Sequence, residues 1–173
     1  MHNKISLLQS QNGERLEEHQ DIEKELLTHF KSVLQESHAN RHPTITKVLQ
    51  HIPKLIKEDH NQMLLRPVSL QEVEKAVAQC KDDKALGPEG FTSNFFHHLW
   101  GLIKNDVWQL VEESRTMHWL LPSLNAIFIA LIPKEDNFAT LDKYRPIALC
   151  SVIYKVISKL IANRLKPLLP LLI

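Results

Sequence analysis

Between residues 125 and 150 the chain reads NAIFIALIPKEDNFATLDKYRPIALC, and the folding of this stretch decides the architecture around it. The segment AIFIALI at 126–132 is apolar at every position, the pattern of a strand covered on both faces, and Pro133 stops it. Residues 144–149 are the natural partner strand. Pro146 lacks an amide donor and must stand where the ladder needs none, and it holds Arg145 extended. The expected product is a small antiparallel hairpin that presents Lys134 and Arg145 near one another on a stiff support.

Working outward, the C-terminal flank has the pattern of a helix. Val152, Ile153, Val156, Ile157, Leu160, Ile161 and Leu165 form one side, and Lys155, Lys159, Asn163 and Lys166 the other, with an end expected near Pro167. Upstream, Phe95, Phe96, Leu99, Trp100, Ile103, Val107, Leu110 and Val111 keep a helical period through one or two long helices. Ser69-Leu-Gln-Glu72 is a capping box, so a helix is expected over about residues 70–79. Residues 35–65 are His- and polar-rich, with Pro43 and Pro53, and read as a linker with one or two helical turns. Ile22, Leu26, Phe30, Val33 and Leu34 mark an amphipathic helix, and Asn12-Gly13 supplies the turn of a short N-terminal hairpin. The fold class is α+β and predominantly helical, divided into residues 1–65 as an upstream extension and 66–173 as the main domain.

The chain has 173 residues, 43% hydrophobic and 24% charged, an ordinary balance for a folded soluble domain. The apolar runs AIFIALIP and LLPLLI fall short of the roughly 20 residues of a membrane-spanning helix, so no membrane partner is expected. With two cysteines, Cys80 and Cys150, and no signal-peptide core, the expectation is an intracellular protein, nuclear or cytoplasmic. The net charge of +1 divides unevenly: residues 1–118 carry 14 Lys/Arg and 17 Asp/Glu (−3), and residues 119–173 carry 7 and 3 (+4). Nucleic-acid binding therefore has to be argued from the position of the cations.

Arg offers a bidentate fork and Lys a compact charge, so Lys134 and Arg145 on one hairpin suit phosphate; the plain alternative is a pair of solvated surface cations. Lys143 is a weaker candidate, beside Asp142. Lys155 and Lys159 could meet a phosphate backbone or simply form a solvated helix face. The turn Gly87-Pro88-Glu89-Gly90 by itself says only that the backbone bends sharply. Asp82-Asp83 is read as a solvated loop rather than a metal site. His97 and His98 point about 100° apart on a helix and cannot chelate one ion, so no zinc site is expected. Trp100, Trp108 and Trp119 are assigned to the core, and neither cysteine has the partners of a nucleophile.

Three segments in order, KALGPEGF at 84–91, NAIFIALIPK at 125–134 and YRPIALCSVIYKVISKLIANRL at 144–165, resemble the opening of the reverse transcriptase domain of LINE-type, non-LTR retrotransposons, closest to the plant elements. The likeness covers residues 66–173 well, and the N-terminal part looks less specifically like the segment that precedes the polymerase. Leu86 and Glu89 depart from the Pro and Asp of the family pattern. The resemblance implies the fingers subdomain of a right-hand polymerase, with Lys134, Lys143 and Arg145 meeting nucleotide and template and Gly87, Pro88 and Gly90 in a template-side loop. It also implies RNA-templated DNA synthesis on an RNA template and DNA primer with magnesium in the complete enzyme. The metal-binding aspartates of the family's palm are not among these residues, so no catalytic residue, metal ligand or bound cofactor is assigned here, and the chain alone is expected to be inactive, with weak RNA binding. Two other readings are a non-catalytic helical module that binds RNA or protein and derives from such an element, and a maturase-like splicing factor.

Overall fold

Three of the helices, those that follow Ser69, Thr92 and Ser151, begin at a hydroxyl side chain that caps them. The structure, a computed structural model, describes residues 5–10, 12–35, 41–82, 85–134 and 140–173. The N-terminal hairpin pairs β1 (Leu8–Gln9) with β2 (Arg15–Leu16) in antiparallel register, Leu8 opposite Leu16, and Gly13 takes the positive φ of 85° that its turn requires. Helix α1 (His19–Leu34) follows, then α2 (His42–Leu49) and α3 (Glu58–Leu65). The span read as a linker thus holds two eight-residue helices, α2 started by Pro43 in its first turn. Helix α4 (Leu70–Ala78) opens on the expected box: Ser69 Oγ accepts from the Glu72 amide at 3.3 Å, and Glu72 Oε2 accepts from the Ser69 amide at 3.0 Å.

The long apolar pattern breaks at Leu99 into α5 (Ser93–His98), capped by Thr92, and α6 (Trp100–Met117), which ends on His118 in the left-handed region. A single turn, α7 (Pro122–Asn125), leads into β3 (Ile127–Pro133), which pairs with β4 (Tyr144–Cys150). Ser151 caps α8 (Val152–Leu165) by accepting from the Tyr154 amide at 3.0 Å, and its own hydroxyl donates to the Leu124 carbonyl at 3.1 Å. Past Leu165 the chain continues through a 3-10 turn containing Pro167 into α9 (Leu169–Leu172). The α+β, mostly helical expectation holds.

The chain divides into two compact units, Met1–Gln50 with Ile129–Ile147, and His51–Phe128 with Ala148–Ile173. The first has a small core of Leu8, Ile22, Leu141 and Tyr144, with Leu16, Leu26 and Leu131 against it. The second has the larger core, built where α4, α6 and α8 meet through Val73, Val77, Val107, Val111, Val156 and Leu160. Both Trp100 and Trp108 serve this unit, the first packed on its core and donating to Glu74, the second donating to the Val68 carbonyl at 2.7 Å. Trp119 does not join a core; it is more than half exposed in the extended segment after α6.

One expectation is overturned. Strand β3 is not covered on both faces: Ile127, Phe128, Ile129 and Ile132 are all exposed. A two-stranded ribbon supplies its members with a hydrogen-bonding neighbour and no layer above or below, and Leu131 is the β3 side chain that packs on the first unit's core. The apolar run records surface suited to a cover, which the described residues do not provide.

Candidate nucleic-acid interface

The β3–β4 ribbon acquires its charge pattern from the pleat. The Lys134 amide donates to the Lys143 carbonyl at 2.8 Å, which puts Lys134 opposite Lys143 and Ile132 opposite Arg145. Leu131 and Tyr144 both pack into the first unit's core, so they share the inner face. Side chains alternate along a strand, and the outer face therefore carries Ile132, Arg145 and Ile147, with Lys134 just past the end of β3; Lys143, half-buried, ends the 3-10 turn that precedes β4. Lys134 and Arg145 are diagonal neighbours there, roughly 7–8 Å apart along the backbone trace. Both are exposed.

They are not equivalent. The Lys134 ammonium donates to the Asp142 carbonyl at 2.6 Å, so one of its three protons is already used, and the lysine folds back over its own turn. The Asp142 carboxyl is held below its usual range, first by the Thr140 hydroxyl and further by Lys143 and Lys134. That carboxylate tempers the positive field on the Lys134 and Lys143 side. Arg145 is exposed on β4. Tyr144, next in sequence, is buried on the opposite face, where burial raises its phenol above the ordinary value.

The turn at 87–90 is a packed piece of the second unit. The Gly90 amide closes it on the Gly87 carbonyl at 3.1 Å, and Gly90 has φ of 76°. Gly87 is buried so tightly that a Cβ there would fall 2.5 Å from the Cys150 carbonyl oxygen. Glu89 accepts from the Val152 amide at 2.6 Å and so caps α8 from outside the helix. Pro88 is half-buried and Gly90 exposed.

Lys155 and Lys159 are half-buried on α8, one turn apart over the C-terminal end of α4. Lys155 donates to the Ala85 carbonyl at 3.5 Å, and Asn163, one turn past Lys159, donates to Gln79 at 3.1 Å. Burial raises the Cys80 thiol above its ordinary value, and Lys159 and Lys155 pull it partly back, which puts both ammonium groups within electrostatic reach of that helix end. Of the Asp82-Asp83 pair, Asp83 lies outside the described residues. Asp82 is committed to His97, whose Nδ1 lies 2.6 Å from Oδ1 while its Nε2 lies 2.9 Å from the Val77 carbonyl. Among the described residues no three acidic, His or Cys groups gather as they would to hold a metal ion.

The sequence reading missed the strongest ionic feature of the chain. Arg164 donates through Nε and Nη2 to both oxygens of Glu72, at 3.0 and 3.1 Å, and also to the carbonyls of Leu64, Arg66 and Pro67. Arg164, with Arg66 beside it, drives the Glu72 carboxyl down to about 2 from 4.5. From α6, Arg115 pairs with Glu112 and donates to the Leu65 carbonyl at 3.0 Å, while Glu112 accepts from the Val68 amide at 2.9 Å. Arg115 likewise lowers the Glu112 carboxyl. The carbonyls of residues 64–68 are thus each taken by a side chain of α6 or α8. A capping box at Ser69 and an Arg at 164 were both visible, but nothing local joined them.

No protein-family model matches the chain. Over 115 residues, 66% of its length, it is 28% identical to a protein of Xenopus laevis named "Transposon TX1 uncharacterized 149 kDa protein". The chain spans 9% of the length of that relative. The likeness supports a transposon-derived origin. Among the described residues, no helix is long and apolar enough to cross a membrane.

Proposed function

We propose that the chain is the fingers portion, with its upstream extension, of a LINE-type retrotransposon reverse transcriptase, and that it meets RNA template and nucleotide phosphates through the outer face of the β3–β4 ribbon. What supports this reading is that Lys134, just past β3, and Arg145, on β4, are both exposed where the Lys134 amide meets the Lys143 carbonyl, while Leu131 and Tyr144 pack inward. The three sequence segments that resemble the family, and the similarity to a transposon protein, support it. Arg145 supplies the bidentate contact, and Lys134 and Lys143 add charge near it. Lys155 and Lys159 would be separate phosphate contacts on α8. The polymerase reaction, with magnesium, DNA primer and RNA template, belongs to the complete enzyme, inside the cell. This chain contributes contacts and no chemistry.

Titration of single-stranded RNA into the 173-residue chain at two salt concentrations tests the assignment. Weak, sequence-indifferent binding that falls steeply with salt and drops about ten- to hundredfold in Arg145→Ala is expected. Equal affinity for wild type and Arg145→Ala, with the loss appearing in Lys155→Ala/Lys159→Ala, would move the site to α8. A non-catalytic helical module derived from such an element is the second reading, favoured by the exposed apolar side chains of α1 and β3.

A further inference from the structure

A groove of about 770 Å³ runs along α1 in the first unit, with Ile129 and Leu131 of β3 as its other wall. Its α1 side is made of two adjacent ridges of the kind that interlock between helices, each with a four-residue step. One ridge is Leu26, Phe30 and Leu34, and the other is Glu23, Leu27 and Lys31. Leu27 and Leu34 are more than half exposed, so the face is apolar and uncovered. The second ridge has opposite charges four residues either side of Leu27. A two-fold axis at Leu27 that brings a second α1 alongside in the reverse direction would set Glu23 of each copy level with Lys31 of the other, about 6 Å from the axis. The ridge is complementary to itself in charge as well as in apolar character.

We propose that this face docks a second copy of the chain, α1 against α1 in antiparallel orientation about Leu27, with two symmetry-related Glu23–Lys31 ion pairs flanking the apolar contact. The pairs fix direction and register, and the leucine and phenylalanine side chains provide the burial.

Sedimentation equilibrium on the full 173-residue chain tests this, with Glu23→Lys, Lys31→Glu, and an equimolar mixture of the two. Both positions are exposed, and circular dichroism verifies that each variant keeps its helix content. Wild type is expected to be a dimer. Each single variant places like charges level at two points and should dissociate about tenfold or more readily. The mixture should recover the dimer, because a chain with two lysines then faces a chain with two glutamates. A wild-type chain that stays monomeric to about 0.1 mM, self-association in which both variants join as readily as wild type, or a mixture no tighter than its components would each overturn the proposal.

Discussion

Arg164 and Glu72, 92 residues apart in sequence, meet through two hydrogen bonds of 3.0 and 3.1 Å and join the end of α8 to the start of α4. The Glu72 carboxylate serves at the same time as the α4 capping group, so one side chain starts a helix locally and fixes it globally. With Arg66 also on Oε1, this carboxylate is shared among two guanidinium groups and a backbone amide. Such a pair is sensitive to the loss of either partner, because the survivor is left half-buried with fewer charged partners.

Arg164→Ala should therefore destabilise the chain by about 2–3 kcal/mol, since it leaves Glu72 with only Arg66 and the Ser69 amide and takes the partner from three backbone carbonyls. Arg164→Lys should recover only a minor part, because one ammonium cannot reach five acceptors. Urea unfolding of the three proteins measures the difference, and a loss below about 1 kcal/mol for Arg164→Ala would contradict the role given to the cluster.

Glu72 sets an acid limit on stability. Its folded carboxyl lies at about 2 against the ordinary 4.5, so the folded value is the lower. Its contribution is full above about pH 4.5 and is lost as pH falls toward 2. The shift corresponds to at most about 3 kcal/mol, and solvent access to the pair brings the expected effect to about 1–2 kcal/mol. Thermal melts from pH 6 down to 2 should show this slope in wild type and a flatter one in Glu72→Gln.

Two glycines should respond oppositely to alanine. Gly87→Ala pushes a methyl group against the Cys150 carbonyl and should cost about 1–3 kcal/mol. Gly101 lies in the first turn of α6 with nothing within 4 Å of an added Cβ, and Gly101→Ala should stabilise by about 0.5–1 kcal/mol. Melting temperatures of the two variants give the signs directly.

The lysine and the arginine of the ribbon should separate in an RNA-binding assay. Lys134→Ala removes an ammonium already engaged by the Asp142 carbonyl, so it should weaken binding less than Arg145→Ala and also loosen the β3–β4 turn. Arg145→Lys should restore part of the affinity, because the charge remains and the fork does not. A larger loss from Lys134→Ala than from Arg145→Ala would reverse this order.

Local chemistry was readable wherever partners lay a few residues apart. Ser69 and Glu72 announced α4, Asn12-Gly13 announced the first hairpin, and the apolar stripe of α8 carried its own period. The sequence of α3, EDHNQMLL, has too few apolar positions to show a period, and the helix is steadied from outside by Arg164 and Arg115 on the carbonyls at its end. The apolar run of β3 was correctly read as a strand and wrongly as covered, because an unbroken apolar run reports what a strand offers and not whether anything packs on it. At the candidate site, the grouping of Lys134 and Arg145 followed from the hairpin. The capture of the Lys134 ammonium by Asp142 depended on turn geometry that composition does not encode.

The stretch at 64–68, with Pro67 between two helices and side chains exposed at Leu65 and Arg66, has the composition of a site that proteases open first. Cleavage requires the backbone to detach and lie extended in the enzyme's cleft, and here the carbonyl of every one of these residues must first be released from Arg164, Arg115 or Trp108. Limited digestion should leave this junction intact until the second unit unfolds and begin instead around residues 50–54, where α2 has ended and the backbone is exposed.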